Sequence, residues 1–528
     1  MGGILNAKKV TLWTAAVILI GIGVLPLCVM LAASFSNLQN YTDTLGSGRT
    51  WALFRNSLML AFLTTVIAGI AGVVLGVLFE KTDLPWRNVF AIVFSLPLLF
   101  PPYMLAIGWF EVLGRGGIVG RWVGAGSGEM TSQWLFGLPG TVLALSTAFL
   151  PVVLLLTMTY VRAVNGNLED AARLSSGWPL VLRRITLPLT MPGILLSYVL
   201  VFLLAMGEFG APAFLRLDVF PVASFTQFTA FYNFGTATAA AVPLVIVVLV
   251  GLGLEQRMLR EKSFQFGWKS QHRDGRIPLK RARSTIVVLV ALGSALTVGT
   301  PIAALVWRGL NAAALREAID RAGESAIRSL AYAGVSATVL AVLGFFLGHL
   351  IHRRALPIWR WVNGASLFLF TLPGTVIGLG LIALWNHPST NWVYASPVML
   401  ICGYIAQYAV LSARATVAGF EQLPLHAEEA AEVAGAAWSR RIGTILVPLL
   451  LPSILAGWTV TFLFCLRDVS LPLLLAPPGY DTLTARTMTL AANGSPELIA
   501  ALCVLLIAVS LVPMGIAGGV LAIWNRGS

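Results

Sequence analysis

Two carboxylates stand in strongly apolar stretches of the chain, where an ionisable side chain is costly. Glu208 lies in LLAMGEFGAPAFL, and Asp468, preceded by Arg467, lies in LFCLRDVSLPLLL. The numbers of the two acids differ by 260, and the same offset relates Pro212 to Pro472. Ionisable groups within membrane spans usually face a cavity or a partner, and carboxylates suit hard cations. The three charged residues are therefore candidates for the lining of a path that favours cations.

A structural interpretation of the same acids is equally open. Glu208 follows Pro192, and Asp468 follows Pro452, by the same interval. At about 1.5 Å per residue, each acid would lie roughly 24 Å along its helix, toward the outer side of a membrane. Each would then simply occupy a helix end with access to water, with Asp468 balanced by Arg467 or another base. Two carboxylates alone do not make a metal site.

The other reactive side chains do not form a catalytic or metal-binding set. His349 and His352 lie beside two arginines, a pattern typical of a basic helix terminus. The four cysteines are far apart in or beside apolar runs, which indicates neither a disulfide framework nor a zinc site. Gly-Trp-Lys-Ser at 267–270 lacks the upstream glycine of a phosphate-binding loop. We predict that the chain is not an enzyme, has no ATPase site and binds no cofactor itself.

Apolar helices must position the two acids, because the composition is that of a membrane protein. Of 528 residues, 57% are hydrophobic and 11% are charged. A helix crosses a bilayer with about 20 apolar residues. The apolar runs predict an all-α integral membrane protein with about 12 spans, near 10–33, 54–79, 89–112, 137–160, 191–210, 237–254, 284–307, 329–351, 361–385, 396–415, 452–470 and 497–523. Prolines and glycines in 95–109 and 371–385 predict locally irregular helices.

A charged, alanine-rich segment between apolar runs occurs twice. EDAARLSSGWPLVLRRITLPLTMP begins at 169, and EEAAEVAGAAWSRRIGTILVPLLLP begins at 428. In one register Glu169 aligns with Glu429 and Trp178 with Trp438, with an offset of 260. A second register aligns Asp170 with Glu429, with an offset of 259. Both registers remain open from the sequence alone.

The repeat extends beyond these segments and predicts two halves. Ser57 with Ser329, and Pro85 with Pro357, share an offset of 272. We predict a first half at 1–254 and a second at 284–528, joined by a basic cytoplasmic linker at 255–283. Both halves start and end on the same side, so the duplication is parallel, with an axis along the membrane normal.

The net charge of +13 is explained by membrane topology, so we predict no nucleic-acid partner. When 169–188 and 429–448 are taken as cytoplasmic, Lys and Arg are more than twice as numerous on that side as on the other. This is the positive-inside bias of membrane proteins. We expect both termini in the cytoplasm and contacts between the linker and anionic membrane lipid.

Each copy of the charged segment predicts two short helices and a turn. Acidic residues open the first helix, where they complement the positive end of its dipole. Gly435 stands where a residue of positive φ would end that helix, whereas the first copy has Ser175. We expect Pro188 and Pro448 to mark the start of the following spans.

The second copy resembles the EAA loop of ABC importer permeases: Glu-Ala-Ala, Gly six residues after the Glu, then Ile445 and Pro448. The resemblance covers nearly the whole chain and implies the type I importer permease fold. It also implies that both segments are coupling helices that dock on a separate ATPase. The positions concerned are Glu169, Asp170, Ala171, Ala172 and Ser175 in the first copy, which departs from the pattern at Asp170 and Ser175, and Glu429, Ala430, Ala431 and Gly435 in the second.

The fusion of two halves and the phrase Gly-Glu-Phe-Gly-Ala-Pro at 207–212 resemble the ferric-iron branch of that family, which also takes in thiamine. The resemblance implies import of ferric iron across a bacterial inner membrane by alternating access. A periplasmic binding protein would deliver the solute, and two ATPase subunits would use ATP and Mg. Thiamine or another small cationic solute is the alternative. A secondary active transporter with six-plus-six helices would share the duplication but would not explain the matched loops.

Overall fold

A computed structural model describes residues 2–35, 42, 44, 46–231, 234–260, 276–423 and 426–527. Over these residues the chain is helical, and its β-structure is limited to one isolated bridge between Thr82 and Ile277. The prediction of an all-α protein is confirmed.

Nine of the described helices are long and apolar enough to cross a membrane. If each of two bent helix pairs also counts as one span, the described residues contain up to eleven spans. The nine are Ala7–Ala33, Gly48–Lys81, Leu138–Arg162, Trp178–Gly207, Phe234–Leu254, Lys280–Gly309, Ala312–Arg353, Val398–Gln422 and Trp438–Arg467. The predicted run at 497–523 falls in the Pro496–Gly527 helix, of which Pro496–Leu511 is a shorter apolar part. Twelve spans therefore stay a prediction.

Shorter helices connect or follow the spans. They are Ile118–Val123, Ala125–Leu135, Gly166–Arg173, Gly210–Phe214, Phe220–Thr229, Asn391–Tyr394, His426–Val433, Ser470–Leu475 and Leu483–Ala491.

The two bent pairs lie where the sequence predicts irregular helices. Arg87–Leu99 meets Pro102–Val123 at 105°, and Trp359–Thr371 meets Gly374–Trp385 at 110°. Pro101 and Pro373 lie at the breaks with extended backbones, at ψ 141° and 136°. Proline donates no backbone hydrogen bond and disfavours helix in the residue before it, so each break follows from the sequence. The predicted irregularity is confirmed.

The spans after the two charged segments begin earlier than predicted. They start at Trp178 and Trp438 and are continuous past Pro188 and Pro448, so the expectation that these prolines mark the starts is wrong. A π-helical turn precedes each proline. The wider turn moves the carbonyl that would otherwise clash with the proline ring, so the helix continues.

By its internal contacts the chain forms two compact units, and neither is continuous in sequence. Unit 1 combines Met1–Leu45, Ser224–Ala241 and Leu315–Ser528, and unit 2 combines Gly46–Ala223 and Val242–Ala314. Each unit therefore joins the first helix of one predicted half to later helices of the other. The boundaries at 254 and 284 remain a prediction about the sequence repeat, whereas the packing follows these units.

Close backbone contacts hold the exchanged helices in both units. In unit 1, a Cβ on Gly380 would lie 3.2 Å from Leu27 and 3.3 Å from Pro26. In unit 2, a Cβ on Gly108 would lie 2.8 Å from the carbonyl oxygen of Pro301. Gly108 and Gly380 differ by 272, so both units use a glycine at the corresponding contact.

Glycines also join the long helices that precede the charged segments to their neighbours. A Cβ on Gly76 would lie 2.8 Å from Thr157, and one on Gly348 would lie 2.7 Å from Thr416. Small residues let membrane helices approach closely. The Gly48–Lys81 and Ala312–Arg353 helices therefore provide firmly packed supports for the segments that contact their ends.

Candidate functional site: two loop helices and two helix breaks

Each charged segment contains a short helix, which we name loop helix 1 (Gly166–Arg173) and loop helix 2 (His426–Val433). A turn and a second short helix follow each, Trp178–Val181 in one copy and Trp438–Arg441 in the other. The prediction of a first helix and a turn is confirmed, whereas the second predicted helix is the start of the long helix that follows and not a separate element. At loop helix 1, the Asn165 side chain accepts a hydrogen bond from the Asn167 amide at 3.0 Å, which satisfies one of the free amides of the first turn.

The two loop helices end differently. Gly435 has φ of 77°, and the Ala436 amide donates to the Ala431 carbonyl at 3.0 Å. This is the hydrogen-bond pattern of a glycine-terminated helix, as predicted. In the first copy, the Ser175 amide donates to the Ala172 carbonyl at 3.2 Å, which closes a tighter last turn.

A buried carboxylate anchors loop helix 1 to its own unit. Glu169 is 4% exposed. It accepts hydrogen bonds from Lys81 Nζ and from Thr186 Oγ1, both at 2.6 Å. Lys81 ends the long Gly48–Lys81 helix, and Thr186 lies in the helix that follows the loop. Glu169 therefore ties loop helix 1 to the helices on either side of it.

Glu428 takes the corresponding place in loop helix 2. It is also 4% exposed, and Arg353 lies 3.1 Å from its Oε2. Arg353 and Lys81 differ by 272, the offset of the helices that carry them. These contacts align Glu169 with Glu428 and therefore favour the second register, in which Asp170 aligns with Glu429.

Further basic groups surround Glu428. Lys8 Nζ donates to its Oε1 at 3.1 Å, and His349 Nε2 lies 3.4 Å from the same oxygen. Burial raises the pKa of Glu428, but His349 and Lys8 outweigh that effect and hold the pKa below its usual range. The stabilisation from this carboxylate is therefore present at neutral pH and is lost only as the pH falls through the lowered value.

Other predicted docking residues lie on the accessible side of the loops. Ala171, Ser175 and Gly435 are exposed, and Asp170, Ala172 and Ala431 are half-buried. The side chains of Glu429 and Ala430 lie outside the described residues. Leu174 and Val433 are 91% and 90% exposed, and their numbers differ by 259. The sequence analysis missed this pair, although an apolar residue at the end of both loop helices was visible.

The two acids at the far ends of the following helices lie at helix breaks. Glu208 ends the Leu187–Gly207 helix and accepts a hydrogen bond from the Gly210 amide at 3.1 Å. Asp468 ends the Val447–Arg467 helix and accepts one from the Ser470 amide at 3.1 Å. Both carboxylates thus cap the first turn of the next short helix. This geometry agrees with the helix-end position in the structural interpretation, whereas Asp468 is buried and does not have the access to water that the interpretation expects.

Asp468 also retains an unused acceptor. The residue is 9% exposed, and its Oδ2 has no hydrogen-bond partner among the described residues. Its Oδ1 accepts from the Ser470 hydroxyl at 3.1 Å. The guanidinium of Arg467 lies 3.9 Å from the centre of the Phe464 ring. A buried carboxylate oxygen at a helix break can accept a hydrogen bond from a water molecule or bind a cation.

A buried ion pair in unit 2 was missed by the sequence analysis. Arg308 donates to the Glu111 carboxylate at 2.6 Å, and Glu111 is 2% exposed. Arg308 directly follows the predicted span 284–307, and only the fold brings it to Glu111. Unit 1 has a cavity of about 620 Å³ lined by Ala33, Ala383, Phe228, Thr229, Phe234, Ile382, Asn386 and Tyr394. The repeat offset of 272 aligns Glu111 with Ala383, so unit 1 has an alanine at the edge of this cavity where unit 2 has the acid of the ion pair.

Comparison with known proteins places the chain in a family. Residues 341–522 match the model described as "Binding-protein-dependent transport system inner membrane component". A probable molybdenum ABC transporter permease protein of Haloferax volcanii is 36% identical over 202 residues, covering 38% of this chain and 70% of that protein.

Longer matches come from ferric and thiamine transport permeases. A ferric transport system permease protein of Actinobacillus pleuropneumoniae is 22% identical over 479 residues, covering 85% of this chain and 68% of that protein. A thiamine transport system permease protein of Brucella abortus is 27% identical over 392 residues, covering 69% and 67%. These matches favour an importer permease over the secondary transporter. Together with the loop helices and the apolar spans, they show that the chain belongs to the type I ABC importer permeases, a family of multi-pass inner-membrane transport subunits.

Proposed function

We propose that this chain is the permease of a ferric-iron importer and that ATP hydrolysis on separate subunits moves it through the two loop helices. The observation that carries the coupling role is the matched architecture of the loops. Each has a buried acid that contacts the end of a long helix, Glu169 with Lys81 and Glu428 with Arg353. A movement of either loop helix would therefore be transmitted directly to the transmembrane helix that it contacts.

The exposed side of each loop helix is the proposed docking surface. Leu174 and Val433 project an apolar side chain at the end of the helix, where a groove of an ATPase subunit would bury it. Asp170 and Glu429 stand at matched positions four residues before them. Two loop helices imply two ATPase subunits, which would bind ATP and Mg, while this chain has no ATPase site of its own.

The loops set the orientation of the proposed complex. Loop helices that dock on an ATPase subunit lie in the cytoplasm. The excess of Lys and Arg on the same side of the spans agrees with this orientation, in which both termini are cytoplasmic as well. A periplasmic binding protein would deliver the solute to the opposite face. The basic linker 255–283 would contact anionic lipid; its residues 261–275 lie outside the described part of the chain.

The substrate assignment rests on the ferric transport relatives and on the acids at the helix breaks. Glu208 and Asp468, with Arg467 adjacent, would line the path of the solute. Carboxylate oxygens are suitable contacts for a hard cation such as ferric iron. The thiamine permeases among the relatives make thiamine the second candidate.

Uptake by cells in which this chain is the sole permease of its class tests the assignment. The cells should also express the matching ATPase and binding protein. We expect radiolabelled ferric iron to accumulate, and accumulation to stop when ATP is depleted. Accumulation of labelled thiamine or molybdate instead would reject iron, and uptake that persists without ATP would reject the ATPase-driven mechanism.

A further inference from the structure

The two buried acids of the loop helices have one equivalent partner each, and their other partners differ. The equivalent partner is the basic residue at the end of the preceding long helix, which is Lys81 for Glu169 and Arg353 for Glu428. Glu169 takes its second hydrogen bond from Thr186, in the helix after its own loop. The position that follows Thr186 by 260 residues is Leu446, an apolar residue buried with Trp438. Loop helix 2 therefore has no hydroxyl at this position to hold its acid.

The first helix of the chain supplies the missing donor in unit 1. Lys8 Nζ donates to Glu428 Oε1 at 3.1 Å. Three residues further along the same helix, Thr11 Oγ1 accepts a hydrogen bond from Trp438 Nε1 at 3.2 Å. Residues three apart on a helix lie on one face. One face of the first helix therefore contacts both parts of the second charged segment, loop helix 2 through Glu428 and the short helix after the turn through Trp438.

The matched tryptophans are held differently as well. Trp438 is 4% exposed, and Lys8 Nζ lies 5.1 Å from the centre of its ring. Trp178 is half-buried, and the cation over its ring, at 4.4 Å, is Arg173 of its own loop helix. Apart from Lys81, nearby groups thus hold the first charged segment, whereas the second also depends on a helix more than 400 residues away in the sequence.

We propose that Lys8 and Thr11 are positioning residues for loop helix 2. They hold it in the orientation that docks on an ATPase subunit, and loop helix 1 does not need them. The two coupling points of this permease are therefore not equivalent. Movement of the first helix acts on the second coupling point alone. The inference rests on the docking role proposed above and adds which part of the chain controls one of the two docking sites.

Site-specific photocross-linking in the complete transporter tests the inference. A photoreactive amino acid is placed at Leu174 or at Val433, which are exposed at matched positions, and the yield of cross-link to the ATPase is measured. We expect the variant that combines Lys8→Met and Thr11→Val to lower the yield from position 433 about tenfold, the effect of a lost hydrogen bond to a charged group. The yield from position 174 should not change.

Three control variants separate positioning from general damage. Lys81→Met should lower the yield from position 174 and spare position 433. Lys8→Arg keeps the charge and should retain the yield from 433. Thr14→Val, one turn along on the same helix, removes a hydroxyl that donates to the nearby Val10 carbonyl within that helix and should have no effect.

The outcomes distinguish this inference from the proposed function. An unchanged yield from position 433 in the Lys8 and Thr11 variant, or equal losses from 433 and 174, would overturn the positioning role. Absence of cross-links from both positions in the unmodified protein would instead reject the docking role on which the inference rests.

Discussion

Single carboxylates of this permease act by holding helices together. Glu169 and Glu428 are buried and bonded to basic side chains, and Glu208 and Asp468 cap short helices. Removing one partner of a buried, hydrogen-bonded charge is costly because the remaining charge stays uncompensated. One oxygen of Asp468 is buried and has no hydrogen-bond partner among the described residues. This oxygen is the contact that we propose for a passing solute.

Asp468→Asn should slow uptake of ferric iron about tenfold through loss of one charge interaction with the solute. The amide can still accept the hydrogen bond from Ser470, so the short helix keeps its cap. Asp320→Asn, at an exposed acid of the same unit, serves as the control and should not affect uptake. Initial uptake rates at equal amounts of membrane protein measure both, and a normal rate in the Asp468 variant would leave this acid as a helix cap only.

Gly435→Ala should weaken ATPase assembly while leaving membrane insertion intact. A residue with a Cβ at φ of 77° costs about 1 kcal/mol or more, so the end of loop helix 2 would shift. Gly443→Ala is the matched control, because Gly443 also has open space around its Cβ position but no positive φ. Co-purification of the ATPase measures the effect; equal amounts with both variants would contradict the argument.

The packing of the two loop helices against their units decides which of their side chains are accessible to another protein. The buried acids face the unit, and the side chains on the other side of the loop helices are exposed, including Leu174 and Val433. Leu174 and Val433 are large apolar side chains exposed at matched positions, which is why we propose them as contacts with the ATPase. The anchoring contacts and the proposed docking contacts thus use different residues of each charged segment.

Leu174→Asp together with Val433→Asp should abolish most ATPase binding, because a charge would have to be buried in the docking groove. Leu174→Ile together with Val433→Ile keeps the apolar character and should bind normally. The amount of ATPase recovered with the permease in mild detergent distinguishes the two double variants. Full recovery with the aspartates would exclude these side chains from the interface.

The whole molecule is built so that neither sequence half contains a complete packing unit. Unit 1 contains Met1–Leu45 from the first half together with most of the second half. Unit 2 contains most of the first half together with the start of the second half, which lies within Val242–Ala314. Glycine contacts at Gly108 and Gly380 fix these exchanged helices. The linker therefore joins two halves that already depend on each other for their packing.

Two separate chains, 1–260 and 276–528, should assemble into an active importer when expressed together, and each alone should be degraded. The exchanged first helices bury apolar surface that a lone half would expose, which favours association of the halves. Protein levels and iron uptake measure the result, with the intact chain as the reference. Stable accumulation of either half alone would contradict the dependence between halves.

The sequence by itself determined the features that depend on neighbouring residues. Apolar runs predict helices, Pro101 and Pro373 predict the breaks, and Gly435 predicts how loop helix 2 ends. The duplicated charged segment and its resemblance to a family indicate the function. These inferences succeed because helix formation, proline geometry and positive φ are local properties of the chain.

Only the tertiary structure decided which distant residues meet. It aligned Glu169 with Glu428, brought Lys8 to Glu428 and Arg308 to Glu111, and exchanged the first helices between the units. It also continued the helices past Pro188 and Pro448 through π-helical turns. Such contacts depend on how whole helices pack, and sequence spacing cannot specify them because residues far apart in the chain have no fixed separation until the fold forms.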